Sequence, residues 1–298
     1  MTTQTPVAQA AGRARARAGT AGLRRRRRID GPAVSMRVWA ALVIVFLYLP
    51  ILFVVFYSFN RGRVLLTWRG FGTNWYATAV ENTQIQHTAL TSLIVGALSA
   101  LIAIVLGSLA GIALARRGGR WTRPFLLLVF LVLVTPEIVD GISYLIWFVR
   151  IDLGSGLLRL VIGHSVFSSA VTTLIVQARL SGLDESLEEA AADLGATPRQ
   201  AFRDITVPLI MPAVLAGGLL SFTFSLDDVI VSTFVSTAGT STLPVYIFSA
   251  LRLGLKGDIA AISTVALVVT LTVLGLTALV LRRSGESAEE VTATLTGG

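Results

Sequence analysis

The sequence has no cysteine, one lysine and two histidines, and Asp, Glu, Lys and Arg together make up only 14% of its 298 residues. Without cysteine there is no disulfide framework, no thiol nucleophile and no thiolate metal site. The single lysine, Lys256, precedes Gly257. A phosphate-binding loop needs lysine before Ser or Thr, so the chain has no such loop with which to hydrolyse ATP. His87 and His164 lie far apart and outside any H-E-x-x-H pattern, which argues against a zinc peptidase. Both are read as hydrogen-bonded structure. Gly154-Ser155-Gly156 has no histidine near it to activate the serine. An enzyme is not expected.

What is present is apolar: 54% of residues are hydrophobic and the mean hydropathy is +0.75. A soluble domain carries about a quarter charged residues, so the chain belongs among membrane proteins. A hydrocarbon core of about 30 Å takes roughly 20 apolar residues in a helix. Runs of that order occupy Val38–Asn60, Thr88–Ala115, Leu160–Ala178, Ile205–Leu226 and Ile259–Leu281. A sixth, Pro124–Val149, is interrupted only by Glu137 and Asp140. The runs lack the alternation of barrel strands, and backbone groups in lipid must pair internally. An all-α polytopic fold with six transmembrane helices is predicted. The first run is too long for a signal peptide, and YSFNRGR after it offers no small-residue cleavage site.

The formal charge of +8 is concentrated, with eight arginines in the first 28 residues. Beside an apolar run this pattern suits anionic headgroups and topology better than nucleic acid. With the N-terminus in the cytoplasm, eighteen basic residues fall in inside segments against seven outside. Both termini are therefore expected to be cytoplasmic. The expected organisation is an Arg-rich disordered tail over 1–35, a membrane domain over 36–283 and a second tail over 284–298. No internal repeat is visible.

Two acidic clusters lie inside the apolar runs, where a charge costs about 2.5–3.5 kcal/mol on insertion scales. Glu137 and Asp140, three apart, share a helix face that Tyr144 and Trp147 continue. Asp227 and Asp228 close the fifth run. Carboxylates beside aromatic rings suit a cationic solute. Other readings stand beside that one: Asp227 and Asp228 as a water-interface marker, a helix end or an inter-helix hydrogen bond, Tyr144 and Trp147 as an interfacial belt or plain packing, and each acid as a gate element that does not touch solute.

Between the fourth and fifth runs lies EEAAADLGATPRQAFRDITVPLIMP, a charged, cap-rich stretch. Asp184 is placed to cap a helix with Glu185, Glu188 and Glu189 in its first turns. Leu187, Ala190, Ala191 and Leu194 form its apolar face, and Gly195 is placed to end it in a left-handed conformation. Thr197-Pro198-Arg199-Gln200 reads as a capping box opening a second helix with Phe202 and Ile205 on its apolar side. Pro208 and Pro212 are expected to disturb the start of the fifth span. With six acids and two arginines over 184–204, the hairpin suits a protein groove better than headgroups. Farther on, Leu243–Phe248 is expected to start a short helix at the outer mouth.

Glu189-Ala190-Ala191, then Gly195, then Ile205, Val207 and Pro208 resemble the EAA loop of the membrane subunits of ATP-binding-cassette importers. The resemblance implies a type I importer permease fold. It also implies that Glu189, Ala190, Ala191, Leu194, Gly195, Ile205 and Pro208 dock into a separate ATPase and pass its closure to the membrane helices. TPEIVDGIS and FSLDDVIVSTFVSTAGTSTLPVYIFSALRLG further resemble the spermidine/putrescine permeases of the second-membrane-chain type, from about Val38 to Arg283. Glu137 after Pro136 fits that pattern; Asp140 is an added acid, and the Arg-rich tail is longer than the family usually carries.

The resemblance implies two copies of an ATP-binding subunit, a second homologous permease, an extracytoplasmic solute-binding protein and a bacterial plasma membrane. ATP and magnesium would belong to the partner, leaving no cofactor or metal in this chain. Thiamine, ferric iron or phosphonate are the alternative solutes. An ion-driven secondary transporter is the reading from another class, but it wants inverted repeats and leaves the EAA segment unexplained.

Overall fold

The computed structural model describes residues 31–62, 67–116, 119–184, 186–254 and 256–283. The first 30 residues, those from 284 onward and Glu185 lie outside them. In chain order the helices are α1 (Gly31–Ser58), α2 (Asn74–Glu81), α3 (Thr83–Arg116), α4 (Thr122–Val134), α5 (Glu137–Arg150) and α6 (Gly156–Ser181). They continue as α7 (Ser186–Asp193), α8 (Pro198–Ala201), a π-helical turn (Phe202–Thr206), α9 (Val207–Asp227), α10 (Ile230–Val235), α11 (Leu243–Leu251) and α12 (Gly257–Arg283). Among the described residues no strand forms, only one isolated antiparallel bridge between Asn60 and Phe71.

Residues through Phe53 form one unit and those from Val54 a second. The first is most of α1, which begins at Gly31 and carries Pro50 within it. Its segment from Ser35 to Ser58 has a mean hydropathy of 2.8 and the length to cross a bilayer.

The second unit is built on α3, α6 and α9. Helices in lipid gain no hydrophobic drive from meeting one another, so small residues and hydroxyls must bring them together. A Cβ at Gly107 of α3 would lie 2.6 Å from the Thr172 Cβ of α6. Only glycine permits that approach. One turn on, a Cβ at Gly111 would meet the Thr173 carbonyl at 2.7 Å. Thr172 and Ser221 share a hydrogen bond of 3.0 Å between α6 and α9, and Ser99 donates to the Val161 carbonyl at 3.2 Å between α3 and α6. Val95, Phe148, Leu160, Val161, Val231 and Val235 form the main apolar cluster, tying α5 and α10 to this frame.

Among the described residues, five helical runs are long and apolar enough to span a membrane. The sixth predicted span differs from expectation. Pro124–Val149 is not one helix: α4 and α5 meet at 104°. Pro136 is the cause, because proline pushes the residue before it out of the helical region, and Thr135 sits at φ −63°, ψ 131°. Glu137 and Asp140 are thus not mid-span charges but the first turn of a new helix. That end carries a partial positive charge and favours carboxylates.

The prolines of the fifth run also act differently from expectation. Helix runs without a break from Pro198 to Asp227. The disturbance takes the form of the π turn, in which the Val207 N–H reaches back to the Phe202 carbonyl. One extra residue in the turn ahead of Pro208 lets the helix continue through Pro212.

Candidate functional site

Two regions hold the residues singled out in the sequence. The first is a cavity of about 370 Å³ within the second unit, where two helical interruptions face each other. Glu137, Asp140 and Tyr144 reach it from the start of α5, and Asp227 and Asp228 from the gap between α9 and α10. Glu137 and Asp227 are exposed, Asp140 and Asp228 half-buried. All four predicted acids are therefore brought to one space. No lysine or arginine lines it among the described residues.

Trp147 is not brought in. It is 58% exposed, because the inward edge of α5 runs through Gly141, Tyr144 and Phe148. Tyr144 lines the acid cavity together with Phe167 and Phe224, and its ring lies 6.1 Å from that of Phe148. Asp227 also borders a second cavity of about 520 Å³ with mostly apolar walls from α3, α11 and α12. The predicted outer helix is α11, whose Leu243 N–H donates to Ser92 Oγ of α3 at 2.8 Å.

His164 is hydrogen-bonded, as its sequence reading has it, but its place in the acid cavity was not foreseen. It projects from α6 into the acid cavity and is almost wholly buried. Its Nδ1 lies 2.6 Å from Ser225 Oγ of α9, and its Nε2 lies 2.9 Å from Ser232 Oγ of α10. Asp228 Oδ1 is 3.5 Å from Nε2 and accepts the Ser232 N–H at 2.7 Å. The signal was available: an ionisable side chain within an apolar run marks a pathway by default. By contrast, Ser155 only caps α6, accepting the Leu158 N–H. His87 lies exposed on α3.

The second region is the hairpin between α6 and α9. Asp184 accepts the Ser186 N–H at 2.9 Å, and that hydrogen bond holds its carboxyl below the usual aspartate range. Helix α7 ends in a Schellman motif: Ala196 N–H to the Ala191 carbonyl and Gly195 N–H to the Ala192 carbonyl, both 2.9 Å. Gly195 has φ +88°, a conformation that side chains with a Cβ resist. Thr197 and Gln200 complete a capping box with Pro198 in the first turn.

Glu188 does more than sit near a helix start. Its Oε1 accepts from Arg116 Nη2 at 2.6 Å and from Thr206 Oγ1 at 2.5 Å. One carboxylate thereby joins the end of α3, helix α7 and the π turn. Glu189, Ala190 and Leu194 are exposed, Leu194 by 91%, while Ala191 is half-buried. Ile205 is half-buried and Pro208 exposed, both on the π turn or the start of α9. The face Leu187–Ala190–Leu194 is uncovered and carries no charge.

A helical bundle with an acid-lined break and a rigid hairpin at the foot of a continuous helix defines a membrane transport subunit. Residues 103–284 match the family described as binding-protein-dependent transport system inner membrane component. The chain belongs to that family and is the membrane permease component of an ABC importer. It is 38% identical to the putrescine transport system permease protein PotI of Escherichia coli K12, over 74% of this chain and 82% of that one. It is 37% identical to the spermidine/putrescine transport system permease protein PotC of Haemophilus influenzae, over 82% and 95%. A bacterial alginate ABC transporter, solved with its alginate pentasaccharide-bound periplasmic protein, contains a chain of the same fold. It matches with a TM-score of 0.66 at 16% identity, over 85% of this chain and 95% of that one.

Proposed function

We propose that this chain forms half of the translocation path of a polyamine importer in the bacterial plasma membrane. The observation that carries the reading is the cavity where Glu137, Asp140, Asp227 and Asp228 converge with no basic side chain among its lining residues. Uncompensated carboxylates in a low-dielectric space attract cations strongly. Tyr144 adds an aromatic wall. The relatives named for putrescine and spermidine support the same solute class.

In this reading both termini are cytoplasmic, and the hairpin over 184–208 docks into one of two copies of a separate ATPase. That subunit holds the ATP and magnesium. Glu189, Ala190 and Ala191 on α7, with Leu194 and Gly195 in the turn that ends it, form the docking element, and Ile205 and Pro208 carry its displacement into α9. A second, homologous permease completes the path, and an extracytoplasmic binding protein delivers the solute. ATP-driven closure then exchanges inward- and outward-facing states as a rigid two-state change.

Uptake of labelled putrescine and spermidine, in cells with and without this gene and lacking other polyamine systems, tests the solute. Loss of uptake in the deletion supports the proposal. Unchanged uptake overturns it.

A further inference from the structure

His164 is the one ionisable residue lining the acid cavity that the proposed path leaves without a task. Its surroundings are unusual for a structural histidine. A histidine that only supports packing commonly has one ring nitrogen fixed by a carbonyl or carboxylate, which selects a tautomer. Here each ring nitrogen faces a serine hydroxyl, Ser225 at 2.6 Å and Ser232 at 2.9 Å. A hydroxyl rotates, donating to a bare nitrogen or accepting from an N–H. Either hydroxyl can therefore face a bare ring nitrogen or an N–H, so the contacts do not by themselves select one tautomer.

The two serines stand on opposite sides of a helix break. Ser225 is in α9 and Ser232 in α10, with Asp227 and Asp228 between those helices' regular turns. The imidazole thus bridges the break that presents the acids. Asp228 Oδ1 is 3.5 Å from Nε2. The other titratable groups lining the cavity are Glu137, Asp140 and Tyr144 from α5 and Asp227 from α9. None of them supplies positive charge. A proton on the imidazole would be the only positive charge that these lining residues bring to the carboxylates.

We propose that His164 is a specificity-determining residue of the cation path, at which a proton and the ammonium group of the solute compete for Asp228. With the imidazole neutral, Asp228 is free to pair with the solute. With the imidazole protonated, Asp228 is paired internally and the cavity holds one fewer uncompensated carboxylate. Binding of a cation and binding of this proton oppose each other, and by linkage each weakens the other by the same factor. The inference rests on the reading of the cavity as a path for cations.

The test uses the whole transporter, with its partner permease, ATPase and binding protein, reconstituted in lipid vesicles. KM and kcat for labelled putrescine uptake are measured from about pH 4.5 to about pH 8, a span that reaches well below the ordinary histidine value of about 6.5. In the parent, KM should rise as pH falls, towards a limit of about tenfold per unit where the two occupants exclude each other fully. In His164→Gln and His164→Asn, each of which places an amide near one ring nitrogen, the dependence on pH should shrink to what the cavity carboxylates and solute capture by the binding protein contribute.

Copurification of the ATPase reports whether each variant assembles. A pH-independent KM in the parent overturns the proposal without any variant. So does a parent profile that either assembled variant reproduces. Absence of putrescine uptake in the parent overturns the solute reading first, and this inference with it, so the two failures are told apart.

Discussion

The gap between α9 and α10 and the hairpin between α6 and α9 are both interruptions of helix, yet opposite forces hold them. At the gap, an imidazole and two serine hydroxyls pair in near-complete burial, while four carboxylates are left without a countercharge among the cavity's lining residues. At the hairpin, an Asp184–Ser186 bond, a Schellman turn and a capping box hold the chain locally, and the charged link Arg116–Glu188 is partly exposed. In low dielectric a satisfied polar network is strong and an unsatisfied charge is costly. In the proposed reading the gap receives a cation, whereas the hairpin presents an exposed face without charge.

That contrast predicts the most severe change at a residue with no side chain. Gly195→Val puts a β-branched residue at φ +88°, where none is tolerated without strain. ATP-driven uptake should fall by at least about tenfold with membrane insertion intact. Protease protection of the inserted chain, measured beside uptake, would break the comparison if both remained normal.

At the gap, the charge itself is at stake. Glu137→Gln and Asp227→Asn each remove a charge from the shared cavity. Each should raise KM for a cationic solute by about tenfold, the worth of one charge-assisted contact. The yield of assembled complex should change much less. An equal loss of complex would make these acids structural and dissolve the contrast with the hairpin.

A smaller effect is expected at the carboxylate that ties the hairpin to the bundle. Glu188→Gln keeps the size but loses the ion pair with Arg116, and partly exposed pairs contribute at most about 1 kcal/mol. The ratio of ATP hydrolysed to solute moved should rise by about twofold to fivefold. An unchanged ratio would mean that the link only decorates the surface.

The weakest expected effect is a pH dependence at Asp184. Its carboxyl is held low by the Ser186 N–H, so its folded pKa lies below the unfolded value. Its contribution is complete above the unfolded value and fades as pH falls through the folded one. Amide exchange at Ser186 should therefore lose protection only in acid below the ordinary aspartate range. Protection that instead fades near neutral pH would point to another group.

Much of the hairpin was legible because its signals are local. A cap, a proline at a helix start and a glycine at its end each act within a few residues, so Asp184, Gly195 and Thr197 could be read directly. The transmembrane runs were legible for a similar reason, since bilayer thickness sets their length. The bend at Pro136 was also written locally, but the apolar run around it concealed it. Composition says how much chain is apolar; it does not say where the axis turns.

The acid site was legible only as parts. Glu137 and Asp227 stand out because charge is rare in these runs, whereas their convergence depends on how α5 and α9 pack. Trp147 lies on the predicted stripe but off the packed edge, because Phe148 fills the core instead. The partnership of Glu188 with Arg116 spans 72 residues and that of His164 with Ser225 spans 61. No periodicity in one segment reports such pairs.

The π turn sets a phase. From Pro198 to Asp227 the chain is one helical run of 30 residues, about 45 Å long at the regular rise. No loop interrupts that run to absorb torque between the hairpin and the acid gap. Every residue past Thr206 is clocked by the single extra residue that the turn contains, and one residue corresponds to about 100° around the axis. Asp227 stands on the wall between the acid cavity and the apolar one. Deleting Ile205 would leave the charge and both caps as they are, yet swing that carboxylate round the helix relative to the hairpin.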